Sequence, residues 1–289
     1  MDGILLIDKE KGITSRECVN NIVKLFDTKK VGHTGTLDPI ATGVLVICVG
    51  RATKLVDYLT AYDKEYVASV SLGVLTDTLD SDGNILKEEN VVLTDDEIIE
   101  AINSMKGSYE QEVPIYSAVK IKGKKLYEYA REGIDVELPK REVSIYDISL
   151  ISDIERIDNR INFKFKCKVS KGTYIRSLIN DIASKLNTVG IMTDLRRISQ
   201  GKFKIDDCNL IKNITNNNLI PVLDILDDIL HITVDDTLKK DILNGKIIED
   251  IYNVDKVLFI DKDNKALAIY KKYDKDNNML KPDIMLGGI

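Results

Sequence analysis

Tryptophan is absent from this chain of 289 residues, histidine occurs twice and cysteine four times. Cys18, Cys48, Cys167 and Cys208 stand far apart with no C-x-x-C pair, and His33 and His231 are separated by most of the sequence. That usage argues against a disulfide framework and against a zinc site, and it fits a reducing cytoplasm. No uncharged apolar run is long enough to cross a bilayer, and Met1 to Lys9 lacks a charged-then-hydrophobic signal pattern, so neither secretion nor membrane insertion is expected. Gly43 to Gly50 contains no Walker lysine, which removes P-loop nucleotide binding. What is present, 44% hydrophobic and 30% charged residues, can bury a substantial core in one large domain plus a small one.

Charge of one sign is locally scarce. The net charge of -6 speaks against a nucleic-acid partner only as an average. Arg160 to Lys204 holds eleven Lys and Arg against two Asp and Glu, whereas Asp206 to Asp250 holds four against ten. A second basic cluster, Lys120, Lys122, Lys124, Lys125 and Arg131, is interleaved with Tyr116, Tyr127 and Tyr129. A solvated face is the bland reading of either cluster; cations together with aromatic faces suit an RNA backbone with splayed bases.

The periodicity is mixed. Gly3 to Asp8 reads as a buried strand, and Thr14 with Glu17 forms a capping box ahead of the helical positions Cys18, Val19, Ile22, Val23 and Phe26. Thr94 and Glu97 repeat the device before Ile98, Ile99, Ile102 and Met105, with Gly107 as the stop. Tyr66, Ala68, Val70 and Leu72 alternate along one strand; Ile161, Phe163, Phe165, Cys167 and Val169 alternate with Lys164, Lys166 and Lys168 along another. Such one-sided strands predict an α+β fold whose mainly antiparallel sheet has a wet, cationic face. Thr78 to Glu89 nearly matches a calcium loop, but Thr78 stands at the first ligand position, and a polar hairpin turn is the better reading. His231, among Ile229, Leu230 and Ile232, reads as a core or interdomain residue.

Gly32-His33-Thr34-Gly35-Thr36-Leu37-Asp38-Pro39-Ile40-Ala41-Thr42-Gly43-Val44-Leu45 is the stretch that carries chemistry. One carboxylate sits among glycines, hydroxyls and a proline, a composition suited to presenting an acid in a cleft. A carboxylate in a partly dry cleft needs a raised pKa or a neighbouring cation, and Arg176 in Lys171-Gly172-Thr173-Tyr174-Ile175-Arg176 is the candidate cation. Alone, that second segment would read as a strand-to-helix turn with a tyrosine anchor.

Several motifs in order resemble the TruB family of tRNA pseudouridine synthases. They are Gly3 to Lys9 with Gly12-Ile13-Thr14-Ser15, the Gly32 to Leu45 stretch, Lys64-Glu65-Tyr66, Pro114 to Lys120 with Leu126 to Arg131, Gly172 to Arg176, and Leu195-Arg196-Arg197, reaching about Ile205. Two departures are Lys9-Glu10 where the family reads Lys-Pro, and Val189 to Asp194 where a Gly-Ala-His type sequence is common. The resemblance implies a pseudouridine-synthase sheet flanked by helices over 1–228, with a thumb-like insertion at about 106–141, and a small PUA-like β domain over 229–289. It implies isomerisation of uridine 55 in the TΨC arm of tRNA, with Asp38 as the catalytic carboxylate, Tyr66 stacking on the uracil and Arg176 pairing with Asp38. Tyr174 and Leu195 would wall the base pocket, His33 would pack against the RNA, and Lys64 and Lys120 would bind substrate. Lys164 to Lys168 and the Lys120 to Arg131 segment would contact phosphates. No metal and no cofactor are implied; the expected partner is the tRNA T-arm stem-loop, met by a monomer needing no protein partner. A non-catalytic RNA-binding or RNA-chaperone protein of this fold, and a guide-RNA-dependent synthase of the Cbf5 type, are the competing readings.

Overall fold

The structure is a computed structural model and describes residues 1–288. Its longest sheet runs, in spatial order, through Ile220–Pro221, Gly3–Lys9, Thr42–Val49, Gly190–Gln200, Lys64–Leu72, Arg160–Val169, Lys140–Leu150 and Gly107–Glu112. One junction on this path is parallel: Gly190–Gln200 lies beside Thr42–Val49 with Arg196 opposite Thr42 and Arg197 opposite Gly43. Its other pairings are antiparallel. The parallel seam joins two antiparallel halves, and the loop preceding Thr42 opens at it.

The halves are buried differently, and the sequence pattern follows. Gly3–Lys9 and Thr42–Val49 are covered on both faces: Leu5, Ile7, Leu45 and Ile47 enter one core, while Ile4, Leu6, Val44 and Val46 enter another. Helix Ser15–Leu25 adds Cys18, Val19 and Ile22 to the first. Leu258, Ile260, Ala266 and Ile269 of the C-terminal strands complete the second. Double burial explains the unbroken apolar runs of those two strands. Lys64–Leu72 and Arg160–Val169 instead alternate, because only one of their faces is covered, by helices Asp95–Asn103 and Ile175–Lys185. Cys167 lies opposite Tyr66, so Tyr66 faces the core. Lys164, Lys166 and Lys168, one residue out of phase, project from the reverse face. The basic strand therefore points away from the side of the sheet that Tyr66 occupies, and Lys166 is already paired with Glu65 at 2.9 Å.

Both capping boxes form, at Thr14 with Glu17 and at Thr94 with Glu97, each worth about 1 kcal/mol. Thr78 to Glu89 folds into a hairpin between Val74–Thr76 and Ile85–Glu88. Between Gly107–Glu112 and Lys140–Leu150 the chain forms a small hairpin, Lys120–Ile121 with Lys124–Lys125, and helix Leu126–Glu132. There Lys124 covers the Tyr129 ring at 4.9 Å, and Lys125 and Arg131 both lie 5.2 Å from Tyr127, so its cations and aromatics first pack on each other.

The C-terminal sheet has the order Leu230–Thr233, Lys256–Ile260, Ala266–Tyr273, Asp276–Met285, Ile248–Glu249. Its own core, Val257, Phe259, Leu267, Tyr270 and Leu280, is shared with Ile242 of helix Asp236–Leu243. His231 lies at the start of this region, its Nε2 at 2.8 Å from the Leu226 carbonyl.

Candidate active site

Asp38 sits in the loop between Val31–His33 and Thr42–Val49, and that loop is tied down from both sides. Ser15, buried, donates through Oγ to the Leu37 carbonyl at 3.1 Å and accepts from the Leu37 amide at 2.9 Å. The Lys9 ammonium, fully buried, donates to the carbonyls of Ile13 at 2.6 Å, Glu10 at 3.1 Å and Pro39 at 3.4 Å. Gly12 gives its amide to the Pro39 carbonyl at 2.8 Å, and the Ala41 amide closes a turn onto the Asp38 carbonyl at 3.0 Å.

Across the seam, Arg197 is buried and donates to the carbonyls of Val44 at 2.6 Å and Gly35 at 3.1 Å. Gly43 makes the close approach possible. Its φ is +103°, and a Cβ there would meet the Arg197 carbonyl oxygen at 2.1 Å, a contact no side chain could occupy. Arg196 reaches over Thr42–Val49 to grip both oxygens of Asp8, at 2.8 and 3.1 Å. Gln200 donates to the Thr34 hydroxyl at 2.6 Å. The loop is thus held by the buried Ser15 hydroxyl, the Gln200 amide, the Lys9 and Arg197 cations and neighbouring main chain, an arrangement that fixes backbone while leaving the one loop carboxylate uncommitted to it.

Asp38 spends both oxygens on Arg176: Nε lies 3.0 Å from Oδ2 and Nη2 donates to Oδ1 at 3.2 Å. This two-point fork is the strong form of the pair. Arg176 is nearly inaccessible, with 6% of its side chain exposed, whereas Asp38 keeps 34%. The acid faces an opening and the cation stands behind it. Two of the three remaining guanidinium hydrogens go to the carbonyls of Thr78 at 2.9 Å and Tyr116 at 3.0 Å.

A second carboxylate shares that guanidinium, and the sequence reading missed it. Asp80, read there only as part of a polar turn, is buried with Oδ2 3.9 Å from Arg176 Nη1. Its Oδ1 accepts from the Thr78 hydroxyl at 2.6 Å and the Asp82 amide at 3.1 Å. Burial pushes the Asp80 carboxyl up, opposed by the Thr78 hydroxyl and by Arg176. What turns Asp80 inward is the left-handed backbone of Leu79, φ +62°, with the Leu79 carbonyl and the Ser81 amide both bonded to Met192. A bulky residue at positive φ is a strained choice held by its surroundings.

Tyr66, Arg197 and Gly43 lie in one row across three strands, which places Tyr66 on the sheet beside the seam. Its hydroxyl has no hydrogen-bond partner among the described residues. Leu195, opposite Ala68, belongs to the same core as Leu37, Tyr66 and Ile175. Tyr174, half-buried, immediately precedes the Arg176 helix. His33 ends the strand that leads into the loop; burial, with Arg197 and Arg16 nearby, pulls its pKa down, and its Nδ1 accepts from the Gly35 amide at 3.4 Å. Lys64 does not reach outward: buried, it donates to the carbonyls of Tyr62 at 2.6 Å and Thr60 at 2.9 Å, and burial lowers its pKa to about 8. Lys120 stands exposed on the small hairpin. No group of three or more His, Cys, Asp and Glu able to hold a metal occurs among the described residues. Nor, among them, is any helix long and apolar enough to cross a membrane.

This arrangement presents one accessible carboxylate, Asp38, gripped at both oxygens by a buried guanidinium. Comparison with known proteins gives the same direction. Residues 23–175 match the model of the TruB family pseudouridylate synthase N-terminal domain. The tRNA pseudouridine synthase B of Bacillus subtilis is 40% identical, over 98% of this chain and 96% of the relative. That of Clostridium kluyveri is 44% identical over 86% of each. Among solved structures, a Cbf5–Nop10–Gar1 complex contains a chain of the same fold, with a TM-score of 0.68 over 98% of this chain and 83% of that one, at 24% identity.

Proposed function

The chain belongs to the TruB family of pseudouridylate synthases, and from that premise we propose that it converts uridine 55 in the TΨC arm of tRNA to pseudouridine. The observation that carries the reading is the Asp38–Arg176 fork at the parallel seam, with the acid open to solvent and the guanidinium sealed behind it.

The reaction breaks C1′–N1, turns the uracil and joins C1′ to C5. C5 then gives up its proton and N1 gains one, so the change is an isomerisation with no redox balance to close. The base must first leave its stack, which costs a few kcal/mol and is cheapest in a loop. Asp38 assists cleavage at the sugar, by attack or by taking a proton. Arg176 keeps that carboxylate aimed, with two hydrogens given to Asp38 while two more tie the guanidinium to main-chain carbonyls. Tyr66 stacks on the released ring, and Leu195 and Tyr174 wall it against water. His33, at the mouth of the loop, packs where the base is extruded. Lys120, on the exposed hairpin with its neighbouring cations, takes phosphate contacts; Lys64, spent on the carbonyls of Thr60 and Tyr62, holds its own turn and not the substrate.

The proposal extends to organisation. Residues 1–228 form the catalytic unit, with the 106–141 insertion as its RNA-gripping thumb, and 229–289 an accessory PUA-like unit. The protein acts as a cytoplasmic monomer without a protein partner. The test is to incubate the purified protein alone with an unmodified T-arm hairpin and map pseudouridine. Conversion at position 55 and no other loop uridine is the expected result. Binding without conversion would support a non-catalytic RNA-binding protein, and conversion only with added guide RNA and proteins would support a Cbf5-type enzyme.

A further inference from the structure

Helix Ile175–Lys185 carries Arg176 in its first turn, yet its N-cap residue, Tyr174, offers no side-chain cap. In an ordinary capping box the third helical residue reaches back to the N-cap amide. Here that position is Ser177, whose hydroxyl instead donates to the Glu112 carbonyl at 2.8 Å. The Tyr174 amide is taken by Gln111 Oε1 at 2.7 Å. Gln111 is buried, 1% exposed, and its Nε2 donates to Tyr109 Oη at 2.9 Å, which in turn donates to Asp181 on the same helix at 2.8 Å. Three points of one helix face, at residues 174, 177 and 181, are thereby fastened to strand Gly107–Glu112. The box is split between two elements.

The location gives this consequence. Glu112 ends the strand from which the chain enters the insertion, and the insertion's Tyr116 supplies a carbonyl to Arg176 Nη2 at 3.0 Å. The first helical turn, through Tyr174 and Ser177, and the guanidinium of Arg176 are therefore both referred to the same few residues, 111 to 116. We infer that Gln111 is a positioning residue for the reaction: by capping the Arg176 helix from the neighbouring strand it sets the reach of Arg176 to Asp38, and it does so without touching substrate. The inference rests on the proposed function for its kinetic consequence and on geometry alone for its structural one.

A misplacement of about 1 Å in a positioned group can cost about 10²-fold in rate. Gln111→Met keeps length and apolar bulk but removes the acceptor. In ¹⁵N-labelled protein the Arg176 Nε–H resonance, assigned with Arg176→Lys, is expected to move in Gln111→Met. In Ile182→Val, a buried change on the same helix with no polar partner lost, it is expected to stay. In steady-state assays kcat falls about tenfold to a hundredfold in Gln111→Met, while KM and RNA affinity stay within about twofold, the signature of an interaction used in turnover and not in binding. An unmoved Arg176 resonance in folded Gln111→Met, or a loss of kcat no greater than in Ile182→Val, overturns the inference. Should Gln111→Met not fold, Ser177→Ala, which removes only the bond to Glu112, carries the same test, and an unmoved resonance there overturns it equally. A wild-type protein that makes no pseudouridine would sink the proposed function, while the resonance still decides the positioning.

Discussion

Replacing Arg176 by methionine keeps an aliphatic stem and removes every donor. Four hydrogen bonds or ion-pair contacts disappear, two from Asp38 and one each from the carbonyls of Thr78 and Tyr116, together with the longer pairing to Asp80. Removing one partner of a buried pair costs about 3–5 kcal/mol. Asp38 is 34% exposed, so water replaces much of what it loses, and the cost concentrates on Asp80, at 8%, and on the two carbonyls. A destabilisation of about 2–4 kcal/mol at pH 7 follows. Asp80 also gives it a pH dependence. Its folded pKa is already raised above 3.8, burial being the largest cause and Arg176 an opposing one, so losing Arg176 raises it further. Between the unfolded and folded values the folded state binds the extra proton, and stability falls as pH rises. The deficit of the variant therefore shrinks on acidification. Denaturant unfolding at pH 7 and pH 5, with single-turnover conversion of a T-arm hairpin, measures both effects. Turnover should fall by about 10²-fold or more, since the carboxylate is no longer aimed, and Arg176→Lys should recover little, because an ammonium cannot make the fork. A deficit under about 0.5 kcal/mol, the usual range for an inconsequential surface change, would refute the reasoning, as would equal deficits at the two pH values.

Asp80→Asn removes the second acid on the same guanidinium while keeping its shape. Turnover is expected to drop about tenfold, because Arg176 loses one of the groups that fix its guanidinium, and stability at pH 7 to hold or rise, because a buried carboxylate with a raised pKa has been removed; a wild-type rate would show Asp80 to be a bystander. Lys64 has a folded pKa of about 8 below its unfolded value, so the unfolded state binds more protons between the two and wild-type stability rises with pH across that window. Unfolding free energies of Lys64→Met from pH 7 to 10 should lack that rise, and an unchanged slope contradicts the burial of its ammonium. Ser15→Ala leaves both Leu37 backbone groups without partners, costing about 2–3 kcal/mol by denaturation and slowing turnover; a neutral effect would mean the Asp38 loop does not depend on this clamp.

Much of the fold was legible because its signals are local. Thr14 with Glu17 and Thr94 with Glu97 announce two helices within four residues, and strict alternation in 161–169 announces a half-covered strand. The pairing of Asp38 with Arg176, 138 residues apart, followed from needing a cation for a lone acid and from the order of motifs. What escaped depends on long-range geometry. Asp80 reads as a turn residue, since nothing local shows that Leu79 adopts positive φ and that Met192 draws the turn inward. Lys64 reads as a substrate-binding charge and Arg197 as part of a basic region, yet each is buried on main-chain carbonyls. The Lys164 to Lys168 row was correctly seen as a wet face, but only the register of Tyr66 with Cys167 shows that this face is the reverse of the one Tyr66 occupies. Gln111 carries no signal in sequence at all, because its partner is an amide 63 residues away.

The assignment of Asp38 as the reacting carboxylate is tested most directly by single-turnover conversion of a T-arm hairpin by Asp38→Asn, with RNA affinity measured alongside. Affinity should stay near wild type, since phosphate contacts and not this acid supply it. Conversion should fall below about one hundredth of wild type, the lower bound for losing a group that works by general acid–base or covalent chemistry. A variant that binds RNA normally and keeps more than that fraction of the rate would contradict it.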